Sequence, residues 1–104
     1  MSKNYKTVAG LLADKSRWCK SDYGQAKDGC SVPADSPQAV KFCLVGAVDK
    51  IYGMAGQERS GVIEKIEDYV NVKSRGRFSN VEEWNDSKHR THAQVLALAK
   101  ELKI

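Results

Sequence analysis

The chain of 104 residues and 11.5 kDa has room for one small domain and not two. With 41% hydrophobic and 29% charged residues it has the balance of a globular protein, which excludes wholesale disorder. Its formal charge of +4 permits an acidic partner but falls short of the dense basic stripe of a non-specific DNA binder, and its longest apolar run, Phe42 to Val48, is too short for a membrane span.

The opening residues, MSKNYKTVAGLLADK, lack the apolar stretch and cleavage site of a signal peptide, so the expected compartment is the cytoplasm. Cys19, Cys30 and Cys43 are odd in number, which fits free thiols in a reducing environment. Their spacings do not match paired zinc ligands, and even with His89 and His92 nearby in sequence no metal is expected. No cofactor is expected either.

Val8, Leu11 and Leu12 recur at helical spacing and predict a first helix from about Tyr5 to Arg17, with Asn4 as its cap. Ser21, Asp22, Gly24, Asp28 and Gly29 then break the pattern. The Lys27-Asp28-Gly29 turn signal predicts a short β-hairpin, Trp18–Gln25 returning at Cys30–Val32. An irregular loop over 19–35 is the alternative.

Ser36 as N-cap and Pro37 at the first helical position predict a central helix over about 37–52. Its apolar face is Val40, Cys43, Leu44, Ala47, Val48 and Ile51, and Gly53 is its stop. Gly46 and Ala47 are small enough to let another element come close. Val62, Ile63, Ile66, Tyr69 and Val70 predict a helix over about 59–70. A basic loop, Lys73 to Arg77, follows. Ser79 with Glu82 predicts a capping box opening a short helix with Val81 and Trp84. Thr91 with Gln94 predicts a second box opening a terminal helix over about 92–103, with Val95, Leu98, Ala99 and Leu102 on one face. The expected fold is therefore mainly α: a single domain over 1–104, with four to five helices and a short β-hairpin near residues 18–32.

Several segments taken together resemble a family of short uncharacterised proteins from bacteria and their phages. These are Trp18-Cys19, Ser36-Pro37-x-Ala39 with Phe42-Cys43-x-x-Gly46-Ala47, and Trp84-Asn85-Asp86-x-x-x-Arg90-Thr91 with Val95-Leu96. That family reads W-C/T, an acidic turn, S-P-x-A-x-x-(W/F)-C-x-x-G-A, and W-N-D-x-x-x-R-T before an amphipathic helix. The resemblance covers the chain from about Trp18 to Leu98 and implies a shared fold. It transfers no activity, because the family is a domain of unknown function. The chain departs from the pattern at Lys27-Asp28-Gly29-Cys30, where the acidic turn is expected.

Two readings compete for the Trp84–Thr91 segment. In the structural one, Trp84 plugs the core, Asp86 pairs with Arg90 across a short loop, and Thr91 caps a helix. In the functional one, Asn85, Asp86 and Arg90 rim a pocket, with Arg90 offering a rigid fork to a carboxylate or phosphate. The candidate ligand-binding set is Trp18, Cys19, Trp84, Asn85, Asp86, Arg90 and Thr91. Lys73, Arg75 and Arg77, with Phe78 for stacking, plus Lys88 and Arg90, are candidate contacts to phosphate, or simply a solvated loop.

The leading expectation is a small cytoplasmic, non-enzymatic binding protein. It would act as a phage or mobile-element accessory or inhibitor on a host protein, or sequester a small anionic ligand such as a nucleotide. One alternative is a small hydrolase using Cys19 or Asp86 with a histidine. The other is a weak nucleic-acid-binding module using the 73–78 loop. A homodimer would enlarge the limited core of so short a chain.

Overall fold

The computed structural model describes residues 5–104. Among them are five α-helices and a three-stranded antiparallel sheet. Helix α1 is Val8–Leu11, strands β1, β2 and β3 are Gly24–Gln25, Ser31–Val32 and Lys41–Phe42, and α2 is Leu44–Tyr52. Helices α3, α4 and α5 are Gln57–Lys73, Val81–Asp86 and His92–Glu101.

The first helix is much shorter than its pattern predicts. The expected cap, Asn4, lies outside the described residues. Thr7 caps α1 instead, its hydroxyl accepting from Gly10 N at 2.9 Å. Asp14 then accepts from Ser16 N at 2.9 Å and starts a separate 3-10 turn, Lys15–Arg17. A short polar side chain that bonds the backbone two residues on competes with continued helix, and here it wins.

The hairpin forms, with Gly24 opposite Val32 and Gln25 opposite Ser31. Gly29 takes a φ of 89° in the turn, and Asp28 Oδ1 accepts from Cys30 N at 3.0 Å. The strands are only two residues each, and a hairpin that small is unstable alone. A third strand, which the sequence reading missed, supports it. Strand β3 pairs with β1 through Gly24 opposite Phe42 and Gln25 opposite Lys41.

That third strand corrects the expected helix over 37–52. Ser36 does accept from Gln38 N, at 3.2 Å, but this closes a turn and not a helix. The chain runs extended to Phe42, and α2 begins at Leu44. Cys43 is its cap, with Sγ accepting from Gly46 N at 3.3 Å. Every residue from Phe42 to Asp49 is buried. Asp49 is held there by the Arg59 guanidinium, 2.5 Å away. Gly53 ends the helix with a φ of 99°, as its sequence position predicts.

Helix α3 keeps the predicted face: Ile66 and Val70 are fully buried, while Val62, Ile63 and Tyr69 pack against the same core. Its end is a Schellman motif, with Gly76 N donating to Asn71 O at 2.8 Å and Arg75 N to Val72 O at 3.2 Å. The motif forces Arg75 to a φ of 56°, the left-handed region that favours glycine. Arg75→Gly is expected to raise stability by about 1 kcal/mol, the order of the left-handed penalty for a residue with a Cβ. Chemical denaturation measures it.

The cap of α4 is Asn80, one residue beyond the predicted Ser79, with Oδ1 accepting from Glu83 N at 2.8 Å. The Thr91–Gln94 capping box is present in both directions and opens α5. At the far end Ile104 is buried, and its carbonyl accepts from Val8 N and from the Tyr52 hydroxyl. The last residues thereby tie α5 to α1 and α2. Among the described residues no helix is long and apolar enough to cross a membrane.

Candidate functional site

Helix α4 is too short to hold itself, so its polar residues bond to other elements. Asn85 is fully buried. Its Oδ1 accepts from Trp18 Nε1 at 2.8 Å and from Leu44 N at 3.0 Å. Its Nδ2 donates to Cys19 O at 3.2 Å and to Asp86 Oδ1 at 2.9 Å. One amide thus joins α4 to the Trp18–Cys19 segment and satisfies an orphan donor at the start of α2. An Asn side chain offers two donor hydrogens and one carbonyl oxygen, and all of them are engaged.

Asp86 completes the bracket by accepting from Ser21 N at 2.9 Å, which holds Ser21 at a φ of 73°. The expected Asp86–Arg90 pair does not form. Among the described residues the ion pairs are Arg17–Asp14 and Arg59–Asp49. A cavity of about 230 Å³ beside the bracket is lined by Ser21, Asp22, Tyr23, Cys43, Glu82 and Asp86.

The thiols sit in surroundings that suppress their reactivity. Burial pushes Cys19 up to about 11 and Cys43 up to about 12, so both are neutral thiols at pH 7. Cys19 Sγ donates to Asp22 O at 3.5 Å. His92 Nε2 lies 2.6 Å from Leu12 O. Among the described residues no cysteine is hydrogen-bonded to a histidine, and no group of three or more His, Cys, Asp or Glu converges on a metal position.

The other side of α4 is different. Trp84, only 7% exposed, presents one face of its indole to Arg90, whose guanidinium carbon stands 3.9 Å from the ring centroid. Arg90 Nε donates to Trp84 O at 2.8 Å and its Nη1 to Gln94 Oε1 at 3.2 Å. Those bonds use two of the five N–H groups of a guanidinium. Burial lowers the Arg90 pKa from its ordinary value, but a guanidinium stays charged at neutral pH.

Beyond Arg90 the surface is concave. A cavity of about 470 Å³ is lined by Tyr69 and Lys73 of α3, Arg77 and Phe78 of the following loop, Trp84, Arg90 and α5. Its volume falls within the range of small-molecule sites. The cations lie over aromatic rings: Lys73 over Tyr69 at 5.6 Å, Arg77 over Phe78 at 5.8 Å, and Arg90 over Phe78 at 5.7 Å as well as over Trp84. The loop that delivers Arg77 and Phe78 is tied back by Phe78 N, which donates to Ser74 Oγ at 3.0 Å. Tyr69 donates its hydroxyl to Glu101, and that bond raises the phenol above its ordinary pKa.

A family model described as a family of unknown function (DUF6197) matches residues 1–102. The chain belongs to this family. No curated protein and no solved structure matches it.

In this DUF6197 chain the predicted ligand set divides between the two sides of α4. Trp18, Cys19, Asn85 and Asp86 meet in the bracket, and Thr91 is a helix cap. Trp84 and Arg90 line the larger cavity together with Lys73 and Arg77, while Arg75 does not. Tyr69 and Gln94 also line it, and the sequence reading had given neither a site role. Tyr69 lies one helical turn before Lys73, so the two share a face of α3. That spacing was the available signal.

Proposed function

We propose that this protein binds a small anionic ligand with a flat ring, a nucleotide being the model, in the cavity between α3 and α5. One observation carries the reading. Lys73, Arg77 and Arg90 converge on one concavity, and each rests on an aromatic ring instead of a carboxylate. A salt bridge cancels a charge, whereas a cation–π contact holds a cation in place and leaves its charge unbalanced. An anion is the partner such a cluster lacks, and Phe78 and Tyr69 line the same concavity. The cytoplasm is the compartment this reading takes, and the three free cysteines support it.

Isothermal titration with ATP, with adenosine as the uncharged control, tests the proposal. Wild type is expected to bind ATP and not adenosine. Lys73→Ala with Arg77→Ala is expected to weaken ATP binding at least about tenfold, the scale of charge-assisted hydrogen bonds lost with each cation. Both side chains are exposed, so an unchanged melting temperature would show that the fold is intact. Failure of wild type to bind ATP at low salt would overturn the proposal.

A short single-stranded oligonucleotide is the other arm. It shares the same cations and the Phe78 ring, and tight, salt-dependent binding of the oligomer alone would move the reading to nucleic acid.

A further inference from the structure

We infer, resting on the anion-binding reading, that the group recognised in this cavity is a terminal phosphate in its dianionic form, as in a nucleoside 5′-monophosphate. Its lining holds three cations, Lys73, Arg77 and Arg90, and no carboxylate. A carboxylate or an internal phosphodiester brings one negative charge to those three cations. A phosphomonoester brings about −1.5 to −2 at pH 7, together with three acceptor oxygens. It is the better match in charge and in the number of donors it can use.

The donors also suit it in kind. Arg77 and Arg90 enter from two different loops, so their planar forks can approach one phosphate from different directions. Lys73 adds a compact cation from α3. The Ser74 hydroxyl is already engaged, accepting from Phe78 N and donating to Asn71 O at 3.4 Å, so recognition falls to the charged groups. Tyr69 and Phe78, whose rings carry these cations, fix where the charges stand.

The groups facing the bound phosphate do not mimic its titration. Lys73 on α3 and Arg77 and Arg90 on the loops supply the positive charges that line the cavity. Tyr69 on α3 is raised by its bond to Glu101 of α5, so it remains a neutral phenol. His89 adjoins Arg90 in sequence without lining the cavity. A positive charge there would strengthen anion binding, opposite in sign to protonation of the ligand.

The experiment is a titration of the intact protein with AMP, cyclic AMP, adenosine, inorganic phosphate and acetate, in buffer free of phosphate, at pH 7.5 and 5.5. AMP is expected to bind at least about tenfold tighter than cyclic AMP, which has the same base and only a diester. AMP affinity is expected to fall about fourfold between pH 7.5 and 5.5 as the second phosphate ionisation, near 6, is reversed. The same fall in His89→Gln would assign it to the ligand. A 5′-phosphorylated oligonucleotide, beside its dephosphorylated form, separates a free nucleotide from a nucleic-acid end as the source of the group. Equal binding of AMP and cyclic AMP, with no loss at pH 5.5, would overturn the dianion inference and leave the anion pocket standing. Absence of binding by every anion, phosphate included, would overturn both.

Discussion

Gly46→Ala is expected to cost this domain about 3 kcal/mol of stability or more. Gly46 lies in the first turn of α2, where the Tyr23 segment crosses it. A Cβ built there would stand 1.7 Å from Tyr23 O and 2.7 Å from Tyr23 C. Both atoms are backbone, so no rotamer change relieves the overlap. Either α2 moves away from the sheet or the Tyr23 segment moves, and that segment leads straight into β1, the central strand. Overpacking normally costs about 1–3 kcal/mol, and a clash of backbone with backbone belongs at or above the top of that range. For a domain of this size a loss of about 3 kcal/mol lowers the melting temperature by more than about 10 °C. Thermal unfolding followed by circular dichroism measures it, and a loss below about 1 kcal/mol would show that the close approach is not required.

Asn85→Leu is expected to cost nearly as much for the opposite reason, since it strands polar groups instead of crowding them. The leucine keeps the volume but removes the acceptor shared by Trp18 Nε1 and Leu44 N, and the donor to Cys19 O. A buried polar group left without a partner costs about 1–3 kcal/mol, and two donors are stranded at once, so about 3 kcal/mol is expected from denaturation curves. Asn85→Asp adds a test with a definite sign. The new carboxylate would face Asp86 Oδ1 and Cys19 O, both acceptors, so its charged form is disfavoured and its proton is retained in the fold. A group whose folded pKa is raised stabilises below its unfolded value, and that contribution is lost as pH rises through the folded pKa. This variant should therefore be closer to wild type at pH 5 than at pH 8. If the deficit is the same at both pH values, the bracket does not work as described.

Both substitutions fall on residues the sequence had marked, but for reasons it states unequally. Gly46 read as a small residue permitting close approach, and the structure shows what approaches. Asn85 read as one of several polar residues near a turn. Apart from the adjacent Asp86, its partners lie 41 to 67 positions away in the chain, and no local pattern points to them. The same distance explains the Asp86–Arg90 error. Four residues of separation made a pair plausible in sequence, yet Asp86 bonds Ser21 and Arg90 stacks on Trp84.

The binding cavity was legible only in pieces. Lys73, Arg77 and Arg90 stand out in the sequence as candidate phosphate contacts, and Trp84 belongs to a separate candidate set that shares Arg90 with them. The fold joins them because α4 carries Trp84 against the core while the Ser74–Phe78 loop folds back over the same place.

What the sequence by itself determined is whatever is written within one or two helical turns. The apolar face of α3, the Thr91–Gln94 capping box, the Asp28-Gly29 turn and the Gly53 stop all rest on bonds or contacts between residues a few positions apart. Such signals act wherever the segment lies. What only the tertiary structure decided is where distant partners outweighed local preference. Residues 36–43 carried good helix-start chemistry, and pairing of Lys41–Phe42 with Gly24–Gln25 overrode it for the strand. The start of α2, the Asn85 bracket and the cation–aromatic cavity share that origin. Each depends on a partner from a distant part of the chain, whose position follows only once the core has closed.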